Sequence, residues 1–320
     1  MKWLDDNALE RLRAAAELPD LGGTRYQVLG RLGHGGMGSV YRVADGVLGR
    51  EVALKVIAFP DRDGGFADRL VREARILAQL EHPGIVPVHD AGTLPDGRVF
   101  YTMKLVNGQR IDEHVQRLAA LNEKLRLFQR ICEPVAFAHA HGVLHRDLKP
   151  QNIMVGPFGE VLVMDWGLSK VIADDALAIP NADSASPGES TTGHGAVLGT
   201  PGYMSPEQAR GEAATLDRRS DIFSLGAILK GLLDDVEVPI PRRLRAIASK
   251  CLESDRTQRY NSVEELAQDI ANYLDGLQVK AHPEGPVARL GRWMVKNQAW
   301  LLLILAYLVM RTLFIVWKNR

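Results

Sequence analysis

The stretch His145-Arg146-Asp147-Leu148-Lys149-Pro150-Gln151-Asn152, followed a short hairpin later by Asp165-Trp166-Gly167, decides how the rest of the chain reads. It gathers a carboxylate, an ammonium and a carboxamide in one loop and adds a second carboxylate just beyond. Such a set suits three tasks: orienting a hydroxyl, holding a divalent cation and neutralising developing charge. Phosphoryl transfer asks little more of a protein than these. Asp147, Lys149, Asn152 and Asp165 are the candidates for them.

Upstream, Gly33-His34-Gly35-Gly36-Met37-Gly38-Ser39-Val40 lies between two strand-like runs, Tyr26 to Leu32 and Val40 to Ala44. Glycines in such a hairpin let backbone N–H groups come close to phosphates. A dinucleotide fingerprint should instead open a helix, so that reading is set aside. Val52-Ala53-Leu54-Lys55-Val56-Ile57 alternates like a strand and carries a lysine. From Phe66 to Leu80 the apolar residues Leu70, Ala74, Leu77 and Ala78 follow a helical period, with Glu73 on the same element. Glu81 falls at the helix end beside His82-Pro83.

Taken together, these motifs resemble those of bacterial eukaryotic-like (Hanks-type) Ser/Thr protein kinases, in the same order and from Tyr26 to about Leu277. The resemblance implies an α+β, bilobal protein-kinase fold: a small antiparallel β lobe with a C-helix, and a larger, mostly helical lobe. It implies that Asp147 takes the substrate hydroxyl proton, Lys149 stabilises the transferring phosphoryl group, and Asn152 and Asp165 hold Mg2+ (or Mn2+). Lys55, set by Glu73, would grip the ATP phosphates. Leu32, Gly33, Gly35, Gly38, Val40 and Ala53 would surround the nucleotide. In Phe100 to Gly108, Met103 would be the gatekeeper, and the backbones of Lys104 and Val106 would face the adenine edge. Many relatives carry an acid where this chain has Lys104, of little consequence to a backbone contact. Trp166 replaces the common phenylalanine, which changes the packing that separates active from inactive states.

Ile153 to Met164 reads as two short strands around Gly156-Pro157-Phe158-Gly159, aiming Asp165 at the metal. From Ile172 to Gly195 the composition turns to Ala, Asp, Ser, Pro, Thr and Gly, as in a segment that orders only when modified. In similar kinases the residue matching Arg146 binds a phosphorylated side chain there. Thr192 is the first candidate, then Thr191 and Ser190. Gly199 to Glu207 is similar to the family's substrate-binding loop; Thr200 would contact Asp147 and Lys149, and Glu207 would pair with Arg259. Asp221 matches the acid that braces the catalytic loop. Between a helix near Ile222 to Leu233 and the next, Arg242 to Leu252, only Asp234 to Pro241 intervene. Relatives usually fit a further helix here, so this lobe is expected to be trimmed, with ATP binding unaffected and substrate docking reduced or relocated.

Composition agrees with a kinase plus an appendage. The 320 residues can bury a substantial core, and 39 basic against 39 acidic residues argue against a nucleic-acid partner. Cys132 and Cys251 sit in apolar helical contexts without metal-ligand spacing and read as buried, reduced thiols. Asp5 and Asp6 interrupt any cleavable signal, and residues 1–25 read as a short amphipathic helical extension packing on the small lobe.

After the kinase-like region, residues 26–278, a basic connector over 279–298 carries Arg289, Arg292 and Lys296. Ala299 to Trp317 is then apolar apart from Arg311-Thr312. At ~1.5 Å per residue it would span roughly 28 Å, near the ~30 Å of a bilayer core, with tryptophans at both ends. Arg311 near the end can snorkel. The reading is a C-terminal transmembrane helix; an interfacial or protein-buried helix is its rival. Basic residues before it place the kinase on the cytoplasmic side of an inner membrane, single-pass, although Lys318 and Arg320 weaken that vote. No external sensor module is expected.

The expected activity is ATP-dependent phosphorylation of Ser/Thr hydroxyls on proteins, in membrane-proximal signalling. Its partners would be protein substrates, the lipid bilayer and a second copy for autophosphorylation of the activation segment in trans. The competing class is a pseudokinase scaffold, against which the intact set from Lys55 to Asp165 speaks. A small-molecule kinase is disfavoured by Gly199 to Glu207.

Overall fold

The computed structural model describes residues 18–35, 38–60, 74–166, 202–212, 216–235, 239–283 and 297–318. Five antiparallel strands form the first layer: β1 (Tyr26–Gly35), β2 (Gly38–Asp45), β3 (Arg50–Pro60), β4 (Val88–Thr93) and β5 (Arg98–Lys104), in the spatial order β1-β2-β3-β5-β4. The glycine-rich run is the β1–β2 hairpin, with Gly35 opposite Gly38. Gly38 has φ 136°, and a Cβ there would lie 2.0 Å from the Val56 carbonyl oxygen, so no larger residue fits.

β3 explains the lobe's two-sided core. Successive side chains of a strand point to opposite faces. Val52, Leu54 and Val56 accordingly join Tyr26, Tyr41, Val43, Leu94 and Phe100 in an outer cluster. Ala53 and Ile57 join the main core with Tyr101 and Met103. Lys55, at the same parity as Ala53 and Ile57, therefore points into the cleft, and the register sets Tyr101 opposite it. A helical segment, 74–78, buries Ala74 and Leu77 against the same layer. Residues 66–73, and with them most of the expected C-helix, lie outside the described residues except for their sequence.

The second lobe begins with β6 (Gln109–Arg110), α1 (Ile111–Val115) and α2 (Leu121–Ala140). β7 (Ile153–Val155) and β8 (Val161–Val163) complete a three-stranded sheet in the order β6-β7-β8. Val163 accepts from Val86 N–H at 3.2 Å and donates to the Gly84 carbonyl at 2.8 Å, tying the strand that leads to Asp165 to the first lobe. Then follow α3 (Pro206–Ala209), α4 (Arg218–Asp234), α5 (Arg242–Cys251) and α6 (Val263–Leu274). α4 begins four residues earlier than its apolar pattern suggests, because Asp217 caps it by accepting from Arg219 N–H at 2.8 Å.

Between α4 and α5, Asp235 and residues 239–241 are non-helical, so no described residue there forms the further helix that relatives usually carry. The short connection is anchored from inside. The Lys124 ammonium, 2% exposed, donates to the Asp235 carbonyl at 2.8 Å and its carboxylate at 2.7 Å. Cys132 and Cys251 are both buried and free. The packed body continues past Leu277: Val279 is fully buried, and the N–H groups of Lys280 and Ala281 donate to Asp269 at 2.7 and 2.9 Å. Those residues belong to the stretch that sequence alone assigns to the connector.

α7 (Gln298–Lys318) carries the apolar C-terminal run, with Trp300, Leu303, Tyr307 and Met310 all exposed. Among the described residues no helix is long and apolar enough to cross a membrane. The apolar side chains described without a break run from Trp300 to Met310, about 16 Å of helix.

α4 and α5 meet at Gly226, where a Cβ would lie 2.3 Å from Cβ of Cys251. Gly226→Ala should force the helices apart and destabilise the fold by about 1–3 kcal/mol, read as a lowered denaturant midpoint in urea unfolding.

Candidate active site

The catalytic-loop residues are held by hydrogen bonds to their backbone. The carboxylate of Asp221, buried at the start of α4, accepts from His145 N–H and Arg146 N–H, each at 2.8 Å, and from His139 Nε2 at 2.8 Å. Burial alone would raise its pKa, but these donors outweigh it and hold the group below the usual aspartate value. On the other side, Gln208 Nε2 donates to the Arg146 carbonyl at 2.7 Å. Arg146 is thus fixed by both its peptide groups in a left-handed conformation, φ 64°, which costs a non-glycine residue about 1–3 kcal/mol.

His145 is fully buried and joins the loop to Asp165. Its Nε2 donates to the Met164 carbonyl at 2.9 Å, and its Nδ1 accepts from Asp147 N–H at 3.2 Å. Both contacts require the neutral ring with its proton on Nε2, and burial lowers the pKa accordingly. The ring packs on Trp166, centroids 4.7 Å apart, while the Trp166 indole donates to the Val163 carbonyl at 3.1 Å. The large ring at this position is therefore buried and anchored beneath the loop.

Around the reacting end, Lys149 Nζ pairs with Asp147 Oδ2 at 2.9 Å. Asn152 Nδ2 donates to the Asp147 carbonyl at 2.8 Å and to Oδ2 at 3.3 Å. Met164 N–H donates to the Asn152 carbonyl at 2.8 Å, bringing the two sides of the hairpin together. Asp165, φ 56°, is the second non-glycine residue held left-handed among the described residues. Its Oδ1 receives the Lys55 ammonium at 2.9 Å and the Tyr101 hydroxyl at 3.2 Å. Burial works against the charge on Lys55, but Tyr101 and Asp165 outweigh it and raise its pKa.

These residues suit a hard divalent cation. Asn152 spends its amide nitrogen on Asp147, so its side-chain oxygen is the atom left for a metal, and Asp165 adds carboxylate oxygen. Among the described residues no group of three or more His, Cys, Asp or Glu is placed to hold an ion. The oxygen atoms of Asn152 and Asp165 suit Mg2+ (or Mn2+), with phosphates and water completing the shell.

The nucleotide side is built by the first lobe. Ala53 and Met103 are buried opposite each other, Val40 is partly buried against the same core, and Leu32 on β1 is exposed. Gly33, Gly35 and Gly38 line the hairpin above. Leu105 and Val106 pack on the main core. The Lys104 amide donates to the Pro87 carbonyl at 3.2 Å, so this N–H is committed within the protein. Glu73, Thr191, Thr192 and Thr200 lie outside the described residues. Sequence reasoning missed Tyr101, His139 and Gln208, since each acts through a contact far along the chain that no local spacing announces.

Below the loop, Glu207 and Arg259 meet as a buried two-pronged pair, 2.6 and 2.9 Å, with Ser220 Oγ donating to Glu207 at 2.8 Å. Arg259 also donates to the carbonyls of Arg219 and Glu253.

A chain with this lobed architecture and this loop can be placed by comparison. The protein kinase domain family matches residues 26–241, and the chain belongs to that family. It is 36% identical over 298 residues to the serine/threonine-protein kinase PknD of Protochlamydia amoebophila, covering 78% of this chain and 30% of that protein. It is 35% identical over 301 residues to PknD of Chlamydia trachomatis serovar D, covering 79% and 32%. The chain thus spans about a third of the length of these curated relatives. Among solved structures, the kinase domain of Mycobacterium tuberculosis PknI superposes with a TM-score of 0.58 at 27% identity, covering 80% of this chain and 98% of that one. The chain is accordingly a bacterial Hanks-type kinase sequence by all three comparisons.

Despite its burial, Arg259 and Ser220 draw the Glu207 pKa down to about 2 from an ordinary 4.5. Its stabilisation is complete above pH 4.5 and is lost as the pH falls toward about 2. Glu207→Gln leaves Arg259 buried without its counter-charge and should destabilise by about 3 kcal/mol at pH 7. The deficit should shrink through the acid window, as followed by chemical denaturation at stepped pH.

Proposed function

We propose that the chain is a protein-serine/threonine kinase that uses ATP with Mg2+ (or Mn2+). The observation that carries this reading is the joint placement of Asp147, Lys149 and Asn152 on one braced loop, with Lys55 meeting Asp165 across the cleft. Asp147, steered through Asn152 and His145, accepts the proton of the acceptor hydroxyl. Lys149, beside it, meets the charge of the transferring phosphoryl group. Lys55 moves its ammonium from Asp165 to the nucleotide phosphates, both being anionic. When bound, the cation neutralises phosphate charge at Asn152 and Asp165.

Serine and threonine are favoured as acceptors by Lys149 and by the Gly199 to Glu207 sequence. Control by phosphorylation of the activation segment, at Thr192 or Thr191, and in trans between two copies, is supported by Arg146 and by the polar composition of Ile172 to Gly195. The PknD relatives are named serine/threonine-protein kinases.

Anchoring to an inner membrane, with the kinase on the cytoplasmic side, belongs to the same proposal. Its support is the apolar sequence from Ala299 to Trp317, the continuity of α7 from Gln298 to Lys318, and the exposure of its apolar side chains from Leu302 to Leu305. Burying such side chains in lipid removes a large apolar area from water.

With radiolabelled ATP and a generic protein substrate, Asp147→Asn should lower kcat by about 10²–10⁴ while nucleotide affinity stays within about twofold. Binding of Mg-ATP by the wild type without any label transfer would point instead to a scaffold. Flotation with lipid vesicles checks the anchor: the full chain should rise with the vesicles and stay through a carbonate wash, and a chain ending before Gln298 should remain in the soluble fraction.

A further inference from the structure

Tyr101 is 2% exposed on β5, directly opposite Lys55 in the strand register. Its hydroxyl donates to Asp165 Oδ1 at 3.2 Å, the same oxygen that receives the Lys55 ammonium at 2.9 Å. The Lys55 Nζ also lies 5.9 Å from the tyrosine ring centroid, within range of cation–π attraction. An aliphatic residue would pack this position without burying a hydroxyl, and a buried hydroxyl is costly unless it is bonded. What Tyr101 adds is therefore its bond to Asp165. Two donors on one oxygen restrict the rotation of the carboxylate, on a residue whose backbone is already held at φ 56°.

The two donors differ in what happens when nucleotide arrives. Lys55 carries a charge that phosphates compete for, and in giving its ammonium to them it releases Asp165. Tyr101 is neutral and fixed within the sheet, with no such competitor. We propose that Tyr101 is a positioning residue for the metal-binding carboxylate: its hydroxyl holds Asp165 through Oδ1, leaves the other oxygen to the cation, and keeps that hold when Lys55 turns to the phosphates. This rests on the reading of Lys55 and Asp165 as nucleotide and metal ligands. The consequence is conditional: losing the hydroxyl weakens only the part of nucleotide binding that requires the cation.

Calorimetric titration of the full chain with ADP, in detergent, with and without saturating Mg2+, tests this without relying on turnover. The wild type should bind ADP more tightly with Mg2+ than without it. Tyr101→Phe, which keeps the ring, should match the wild type without Mg2+ and bind about tenfold more weakly with it, the order that one hydrogen bond to a charged group supplies. Tyr101→Leu should show the same selective loss. Wild-type affinity of the Phe variant under both conditions would overturn the proposal. So would a parallel fall with and without Mg2+, including one caused by failure to fold, since it would show that Tyr101 serves packing alone. A wild type that binds no ADP in either condition would instead sink the phosphotransfer reading on which the proposal stands.

Discussion

The Asp221 carboxylate is the constraint on which the rest of the site depends. Two backbone N–H groups of the catalytic loop and one imidazole converge on it in a place without solvent. A buried carboxylate is tolerated only when its oxygens are fully bonded, and a loop holds a strained residue only when its surroundings over-determine it. Each condition satisfies the other. Gln208 closes the arrangement from α3, and the buried Glu207–Arg259 pair fixes α3 against α4 and the segment after α5. Asp147 is thus placed by contacts within its own loop, and that loop is held through His145 and Arg146 by two distant helices.

The opposite wall of the cleft is fixed by the two-residue period of a strand. Because β3 is covered on both faces, its even-numbered residues fill one core and its odd-numbered residues face the other. A lysine at position 55 is then carried into the cleft, where burial works against its charge and the Asp165 carboxylate favours it. The pairing joins the lobes electrostatically, while Val163 and residues 84–86 join them through the backbone. Trp166, packed on His145 and bonded to Val163, fills the space between those two links with a ring larger than phenylalanine.

Much of the fold was legible in order and kind. The glycine hairpin, the alternation around Lys55, the short hairpin before Asp165 and the helices near 222 and 242 all rest on local periodicity and turn residues, which act over a few positions. Boundaries were less legible where capping decided them: Asp217 starts α4 ahead of its apolar pattern, and Asp269 keeps Lys280 and Ala281 in the packed body. The shortness of the connection between α4 and α5 could be read from spacing. Its anchor, Lys124, could not, because a lysine in α2 gives no sign of bonding across 111 residues to Asp235.

The sequence by itself determined the family, the order of the motifs and which side chains are candidates for the chemistry, because those depend on residue type at fixed short spacing. Only the tertiary structure decided the tautomer of His145, the donors on Asp221 and the partnership of Tyr101 with Asp165. Each of these depends on a hydrogen bond to a residue outside the local motif, and its existence depends on distances of a few tenths of an ångström that only packing sets. The loop at Asp147 can be read in eight letters; what holds it in place is spread over more than a hundred residues.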